Sequence, residues 1–325
     1  MNLEKEKILS FHSDWIASIL ILDSNDIISG SYNGEIIIFQ NKTFSIKLKA
    51  KLENFCIRYL TKLKEKNRIL ISSLSNLIII ELNTNNTQLK IIHIIKTING
   101  FVRNSIYLNN INNNNNINNS IVCCINDIIQ MFQKLIINKK EIYQNMINLN
   151  KDNSKIDSLL QINNELITTS FYNINVRFWD LINFKNTYTI NNIMCSCYQN
   201  AIQKINNNII AIGNSCMNGN IYLINIITHK LIGNYKSENC FISFSCIKKF
   251  SNDIIICGEY INNKEIYIEI FKINNINDDD DSINIKSIGI QKVEHNKIIS
   301  DIIITKNKKI ITSSYDQNIL IFTIK

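Results

Sequence analysis

The sequence contains no proline and only 8 glycines among its 325 residues. A chain of this length with average composition would carry roughly 16 prolines, at ~5% usage. Instead, it has 74 isoleucines and 55 asparagines. The abundant residues have AT-rich codons and the scarce ones GC-rich codons, so we interpret the bias as mutational pressure rather than a selected property of the fold. Isoleucine, asparagine and lysine positions are therefore weak signals, whereas Trp, His, Gly, Asp and Arg positions are stronger ones.

Two further absences narrow the class of protein. The first residues, MNLEKEKILSF, have mixed charges and no apolar region, so they do not predict a secretory signal. No apolar run approaches the about 18 residues of a membrane helix, and we expect no membrane partner. The 9 cysteines form no CxxC pair. This pattern favours reduced, buried thiols in a cytosolic or nuclear protein and predicts no metal site.

The chain is also poor in the residues that carry catalysis. It has only 4 histidines, and no Ser-His-Asp spacing stands out. We therefore expect no catalytic residue and no cofactor. A propeller hydrolase that uses His93 or His229 is the remote alternative. The net charge of +8 comes mainly from lysine, which is compatible with ribonucleoprotein surroundings and an indirect association with RNA.

What the sequence does contain is a strand signal. Short runs of Ile, Val, Leu, Phe and Tyr recur about every eight to twelve residues, separated by Asn, Asp, Ser and Gly. No stretch keeps a helical period. The pattern predicts an all-β sandwich, barrel or propeller.

An internal repeat decides among these folds. Residues 25–40 read NDIISGSYNGEIIIFQ, which predicts a strand, a tight turn at Tyr-Asn-Gly and a second strand. Residues 308–323, KKIITSSYDQNILIFT, match it in order and length. Further copies begin at 68, 119, 165, 208 and 253, which makes seven units. The sequence therefore predicts a seven-bladed propeller.

The units resemble WD repeats over essentially the whole chain. In a WD repeat, a histidine before the first strand meets an aspartate in a later turn, and a Ser or Thr and a Trp complete the network. His12 and His295 lie 27 residues before Phe39 and Phe322, which occupy the Trp position. The resemblance implies a structural rather than a catalytic role for the residues at these positions: His12, Asn33, Phe39, Asn173, Trp179, Asp180, His295, Asp316 and Phe322.

The resemblance also implies how the ring closes. The chain ends after the third strand of unit seven, and residues 4–11 can supply its fourth strand. We predict a single domain over 1–325. Its blades are expected at 12–45, 55–90, 91–143, 153–190, 192–237, 238–292 and 293–325 plus strand 4–11. Residues 109–119 and the acidic stretch 278–281 are interpreted as loops, and 141–154 as a linker between units three and four.

A narrower resemblance starts from unit one. Its Asp-Trp-Ile-x-Ser stretch at 14–18 and its Gly-Ser-Tyr-Asn-Gly turn at 30–34 are similar to the first blade of the WD-repeat subunit of the PeBoW (Pescadillo–Bop) complex. Val-Arg-Phe-Trp-Asp at 176–180 is similar to the blade after that family's linker. The ubiquitin-like domain by which that family engages the midasin ATPase has no counterpart in this sequence. The resemblance therefore does not support a contact between this chain and midasin.

The resemblance implies a non-catalytic scaffold in large (60S) ribosomal subunit biogenesis and pre-rRNA processing, in the nucleus and nucleolus. The expected partners are Bop-like and Pescadillo-like assembly factors and the pre-60S particle. A scaffold subunit of a translation-initiation or splicing complex is the alternative, and a cytoplasmic location is expected if that alternative holds. Aromatic residues beside the repeat turns are the candidate partner contacts: Trp15, Tyr32, Tyr172 and Tyr315.

Overall fold

The computed structural model describes residues 2–98, 100–109, 119–149, 155–170, 174–193, 195, 198, 200–214, 219–237, 242–261, 265–274 and 283–324, with the backbone alone at Ile242, Tyr260 and Ile261. Within these residues the regular elements are 28 β-strands, arranged in seven four-stranded sheets. The predicted all-β class with seven units is therefore confirmed. The predicted loops at 109–119 and 278–281 lie almost entirely or entirely outside the described residues.

The strands follow one another sheet by sheet. β1 (Leu3–Leu9) comes first in the chain and belongs to the last sheet. The first three complete sheets are β2 (Ile16–Ile21), β3 (Ile27–Ser31), β4 (Glu35–Phe39), β5 (Ile46–Lys51); β6 (Tyr59–Lys62), β7 (Arg68–Ser72), β8 (Asn76–Leu82), β9 (Leu89–Lys96); and β10 (Val102–Tyr107), β11 (Ile121–Ile125), β12 (Ile128–Ile137), β13 (Lys140–Leu149).

The remaining sheets repeat this order. They are β14 (Ser158–Ile162), β15 (Glu165–Ser170), β16 (Asn175–Asp180), β17 (Lys185–Asn191); β18 (Ile202–Lys204), β19 (Ile209–Gly213), β20 (Asn220–Asn225), β21 (Lys230–Lys236); β22 (Ile242–Lys249), β23 (Ile254–Ile261), β24 (Glu265–Asn274), β25 (Asn284–Lys292); and β26 (Ile299–Ile304), β27 (Ile310–Ser314), β28 (Ile319–Ile324) with β1.

The last sheet contains both ends of the chain. β1 pairs antiparallel with β28, from Leu3 opposite Ile324 to Leu9 opposite Ile319. Leu3 and Leu9 are buried, and the residues between them are exposed. This confirms the prediction that an N-terminal strand completes the final unit. β1 also covers the edge of β28, which would otherwise present unpaired backbone groups.

Position within a sheet explains the sequence of each strand. The five residues of β4, EIIIF, are all buried, as expected for a strand packed on both faces. Each isoleucine buried in this way contributes roughly 1.5–3 kcal/mol relative to exposure. The outermost strands, such as β17, are mostly exposed. Inner strands therefore read as unbroken apolar runs, and outer strands read as polar.

The structure corrects three of the predicted boundaries. The predicted end of the first blade at residue 45 is wrong, because β5 (Ile46–Lys51) is the fourth strand of the first sheet. The predicted linker at 141–154 is wrong, because residues up to Leu149 form the outer strand β13, and 150–154 lie outside the described residues. The predicted boundary after residue 90 is also wrong, because β9 continues the second sheet to Lys96. β5 and β13 are exposed outer strands with many polar residues, so neither was recognised, whereas the mostly apolar β9 was assigned to the wrong sheet. The single-domain assignment stays a prediction.

The predicted turn of the first repeat is present. Residues 32–34 join β3 to β4, and the Gly34 amide donates to the Ser31 carbonyl over 3.0 Å. Gly34 has a φ of +86°, and a Cβ there would lie 2.4 Å from the Leu52 carbonyl oxygen. Glycine is thus required both by the left-handed backbone and by the close approach of the chain.

Contacts between Cα atoms divide the chain into two compact units. The first unit comprises residues 1–16, 169–176 and 188–325. Its core contains two apolar clusters, one centred on Phe244 and Phe271 and the other on Ile268, Ile302 and Phe322.

The second unit comprises residues 17–168 and 177–187. Its core contains three apolar clusters. They are built around Ile38 and Ile71, around Leu77 and Phe132, and around Leu166 and Trp179.

Candidate interaction site

In the last repeat, His295 is hydrogen-bonded to both an aspartate and a threonine. His295 Nδ1 lies 2.9 Å from Asp316 Oδ2, and His295 Nε2 lies 2.9 Å from Thr312 Oγ1. The Asp316 carboxylate also accepts from the backbone amides of Asn296, at 3.0 Å, and Asn318, at 2.9 Å. Burial opposes ionisation, but the hydrogen bonds from His295 and these amides outweigh it and lower the pKa of Asp316. The network ties the loop before β26 to the turn after β27.

The other repeats keep parts of this arrangement. His12 and Phe39 are buried, and Asn33 Oδ1 accepts from the Glu35 amide at 3.1 Å within the first turn. In the fourth sheet, Trp179 Nε1 donates to Thr168 Oγ1 at 3.0 Å. Asp180 Oδ1 accepts from the Ile182 amide at 2.9 Å, so it stabilises the turn after β16. Phe322 is buried at the position of the last repeat that corresponds to Trp179, and its phenyl ring carries no hydrogen-bond donor.

Trp15 belongs to an exposed aromatic group in the first unit. Its indole is 42% exposed and stacks on Tyr315, with ring centroids 5.2 Å apart and planes at 22°. The Lys297 ammonium lies 5.4 Å from the centroid of the Trp15 ring. The Tyr315 amide donates to the Ile298 carbonyl at 3.2 Å, which holds the turn against the neighbouring loop. Trp15, Tyr315 and Lys297 together are called the tryptophan group below.

Tyr32 belongs to a similar group in the second unit. The Arg58 guanidinium lies 5.4 Å from the centroid of the Tyr32 ring and 5.7 Å from that of Phe101. Phe101 is 53% exposed, and nearby Leu74 is 41% exposed. Backbone hydrogen bonds fix these segments: the Arg58 amide donates to Ser72 O at 2.9 Å, and the Val102 amide to Leu74 O at 3.2 Å. Tyr32, Arg58, Phe101 and Leu74 are called the arginine group.

Both groups lie at the same end of their own sheets. One residue set lies in turns between strands. Tyr32 lies between β3 and β4, Leu74 between β7 and β8, and Tyr315 between β27 and β28. Arg58, Phe101 and Trp15 lie just before the first strand of a sheet. In an antiparallel sheet that turn and that connection share one end. An arginine or lysine against an aromatic face contributes roughly 0.5–1 kcal/mol at exposed sites, so each group is partly ordered in advance of binding.

The sequence identified some of these residues and missed others. It singled out Trp15, Tyr32 and Tyr315, which the structure places in the two groups. Tyr172 and Asn173 lie outside the described residues. Arg58, Phe101 and Lys297 were missed because they belong to no repeat motif, and Leu74 was missed because the turn of the second unit has a leucine where other turns have a tyrosine. Arginine is rare in this chain, so Arg58 was the one position whose residue type could have been a signal.

The two histidines of the hydrolase alternative lie elsewhere. His93 Nε2 is 3.5 Å from Glu141 Oε2, and its ring meets Tyr143 edge-on with centroids 5.4 Å apart. His229 stacks on Tyr188 at 4.6 Å, and burial lowers the pKa of His229. Within the described part of the chain, no cluster of three or more His, Cys, Asp or Glu side chains could hold a metal ion. That part also has no helix suited to crossing a membrane.

No protein-family model and no curated protein matches the sequence. Solved structures do match the fold. The WD40 β-propeller domain of Doa1 superposes with a TM-score of 0.73 at 13% identity, covering 100% of this chain and 97% of that one. A chain of the mitotic checkpoint complex superposes with a TM-score of 0.75 at 10% identity, covering 98% of this chain and 91% of that one. The fold is therefore a seven-bladed WD40 β-propeller, as predicted from the repeats. Such propellers are typically non-catalytic protein-interaction scaffolds.

Proposed function

We propose that the chain is a protein-interaction scaffold in large ribosomal subunit biogenesis and pre-rRNA processing, acting in the nucleolus. Its expected partners are Bop-like and Pescadillo-like factors on the pre-60S particle, with any RNA association indirect. The similarity of residues 14–18, 30–34 and 176–180 to the PeBoW WD-repeat subunit supports this assignment. The alternative is a scaffold role in a translation-initiation or splicing complex.

The observation that carries the binding proposal is the exposure of Trp15 and Phe101 beside cations. Trp, Tyr and Arg dominate the binding energy of protein interfaces, because they bury large surfaces at small entropic cost. Here each ring is already stacked or covered by a cation, so little side-chain freedom remains to be lost on binding. The tryptophan group and the arginine group are therefore proposed as the contact residues for a Bop-like partner.

Depletion in the source cells tests the cellular role. We expect large-subunit rRNA precursors to accumulate, and Bop-like and Pescadillo-like proteins to co-purify with the tagged full chain. Normal rRNA processing together with co-purification of initiation or splicing factors would contradict the proposal and favour the alternative. Turnover of an ester by the purified protein, lost on substitution of His93 or His229, would favour the hydrolase.

Substitutions test the contact residues. Trp15→Ala and Arg58→Ala should reduce recovery of the Bop-like partner. The Trp15 side chain is 42% exposed, so its truncation should change the thermal midpoint little, whereas Arg58 is half-buried and its variant is compared at a temperature where circular dichroism shows it folded. Tyr188→Ala is the matched control, since this tyrosine is 46% exposed on outer strand β17, whose sheet contributes no residue to either group. Equal loss of the partner in all three variants would show that the two groups are not the interface.

A further inference from the structure

An open concavity lies at one end of the second sheet. It is bordered by the β6–β7 turn and the β8–β9 turn, which share one end of an antiparallel sheet. Its volume is about 500 Å³, and its lining includes the polar side chains of Lys66, Asn67, Thr84, Gln88 and Lys90. Leu74 of the arginine group lies in the β7–β8 turn, at the opposite end of this sheet. The concavity is therefore separate from the arginine group.

Four exposed lysines belong to this end of the second and third sheets. Lys66 and Lys90 line the concavity, Lys64 lies in the β6–β7 turn, and Lys139 lies in the β12–β13 turn. In the part of the chain that the structure describes, none of the four forms an ion pair. They are called the lysine surface. A lysine ammonium with no carboxylate at short range keeps a positive field that attracts anions.

An ion cluster joins the two turns that carry most of these lysines. Lys134 Nζ lies 2.7 Å from Glu65 Oε1 and 2.8 Å from Glu141 Oε1. Glu65 lies in the β6–β7 turn, where the two lysines of that turn are its chain neighbours. Glu141 lies two residues after Lys139, at the start of β13. Because one ammonium contacts both carboxylates, the β6–β7 and β12–β13 turns lie side by side.

The carboxylates at this end are held by other cations. Glu81 lines the concavity, and its Oε1 lies 3.1 Å from Arg68 Nε. Arg68 Nη1 also lies 2.7 Å from Glu141 Oε2. The cluster of Glu65, Glu81 and Glu141 with Arg68 and Lys134 carries one excess negative charge, which the lysine surface outweighs. The net field at this end of the two sheets is therefore positive.

The polar groups of the concavity match those that contact nucleic-acid backbones. Phosphates and sugars are bound by lysine ammonium groups and by the amides and hydroxyls of Asn, Gln, Ser and Thr. Asn67, Thr84 and Gln88 supply such groups here. Among the described residues of the lining there is no aromatic ring, so the stacking faces that hold single strands are missing. Its two leucines, Leu82 and Leu89, are buried and half-buried, so they offer no exposed apolar anchor for a protein.

We propose that the concavity and the lysine surface bind the phosphodiester backbone of a double-stranded nucleic acid without reading its bases. Lys66 and Lys90 pair with phosphate at the concavity, and Lys64 and Lys139 pair with further phosphates of the duplex. Each pairing releases a condensed counterion, so the affinity falls steeply as salt is raised. This goes beyond the proposed function, in which RNA is reached only through partner proteins. It does not depend on the Bop-like assignment, because none of these lysines belongs to the arginine group or the tryptophan group.

Fluorescence anisotropy of the purified full chain with labelled RNA duplexes of about 16 base pairs tests this proposal. We expect duplexes of unrelated sequence to bind with equal affinity, and binding to weaken between about 50 and about 200 mM salt. Lys66→Gln/Lys90→Gln should weaken binding by about tenfold or more and reduce the slope of log affinity against log salt by about 2. Glu81→Gln should instead strengthen binding by about threefold, because it removes a carboxylate from the lining.

Matched controls are available on the same chain. Lys230→Gln/Lys306→Gln removes the same charge from exposed lysines on β21 and in the β26–β27 turn, and it should bind as wild type. Trp15→Ala should also bind the duplex as wild type, which separates this proposal from the Bop-like one. Both lysine variants should keep the wild-type thermal midpoint, because all four side chains are exposed.

Absence of duplex binding at about 50 mM salt, or equal weakening by the two lysine variants, would overturn the proposal. Binding of a polyglutamate peptide that Lys66→Gln/Lys90→Gln weakens, without duplex binding, would assign the surface to an acidic protein instead. A DNA duplex of the same sequence separates the two sources of phosphate. Equal affinity assigns contacts to phosphates alone, and tighter binding of RNA adds contacts to the 2′-hydroxyls.

Discussion

Replacing His295 by alanine removes a fully buried side chain that bridges two loops. The side chains of His295 and Asp316 are 0% and 1% exposed, and the imidazole makes two hydrogen bonds of 2.9 Å. A hydrogen bond to a charged group contributes about 1.5–3 kcal/mol and a neutral one about 0.5–1.5 kcal/mol. We therefore expect His295→Ala to lower the free energy of unfolding by about 2–4 kcal/mol.

Denaturant unfolding of the purified chain, followed by tryptophan fluorescence and circular dichroism, measures this change. His229→Ala is the matched control, because that imidazole stacks on a partly exposed tyrosine and makes a smaller contribution. A stacked pair contributes about 0.5–1.5 kcal/mol. A double-mutant cycle of His295→Ala with Asp316→Ala isolates the bond between them, and we expect a coupling energy of about 1–3 kcal/mol.

The pH dependence of the same variants adds an independent check. The pKa of Asp316 is lowered in the folded state, so its contribution to stability is present above the unfolded pKa of about 3.9. This contribution is lost as the pH falls through the folded pKa. His295→Ala should reduce that acid-dependent loss. If His295→Ala costs no more than His229→Ala and leaves the acid limb unchanged, the network does not stabilise the fold.

Three further outcomes follow from the structure. Deleting residues 1–10 removes β1 and uncovers β28, so the thermal midpoint of the whole chain should fall; an unchanged midpoint would contradict closure by the N-terminal strand. Glu259 and Glu269 are 0% and 3% exposed. The pKa of Glu259 is raised, mainly because burial disfavours its charged form and also because the Glu269 carboxyl is adjacent. The contribution of Glu259 to stability should therefore be fully present below the unfolded pKa of about 4.3 and be lost as the pH rises through the folded pKa. Glu259→Gln should flatten that slope in unfolding measured across pH, and a slope equal to wild type would contradict the assignment. Burial raises the pKa of Cys124 and of Cys246 to about 12, so neither thiol should react with iodoacetamide at neutral pH until the chain unfolds. Labelling of the native chain at these positions, read by mass spectrometry, would show that the buried strands open.

The repeat pattern was sufficient to predict the fold, because inner strands and turns have strong physical requirements. Strand β4 must be apolar on both faces, and Gly34 must adopt a left-handed backbone against the Leu52 carbonyl. Such positions resist the compositional bias of the chain. Outer strands have no such requirement, since only one face or none is buried. That is why β13 was mistaken for a linker.

The candidate site could be predicted only in part. Tyr315 stood out because it lies in a repeat turn, and Trp15 stood out in the Asp-Trp-Ile-x-Ser stretch before the first strand of unit one; the structure stacks them. Arg58 and Phe101 contact Tyr32 from connections that carry no motif.

The central claim is that the exposed aromatic–cation groups bind a Bop-like protein. Isothermal titration of the purified full chain with the purified Bop-like partner tests it most directly. The account predicts saturable binding that Trp15→Ala weakens by about tenfold or more, because truncating an interface tryptophan typically costs about 2 kcal/mol. Tyr188→Ala should bind as wild type. Absence of saturable binding, or equal affinity of wild type, Trp15→Ala and Arg58→Ala, would contradict the claim.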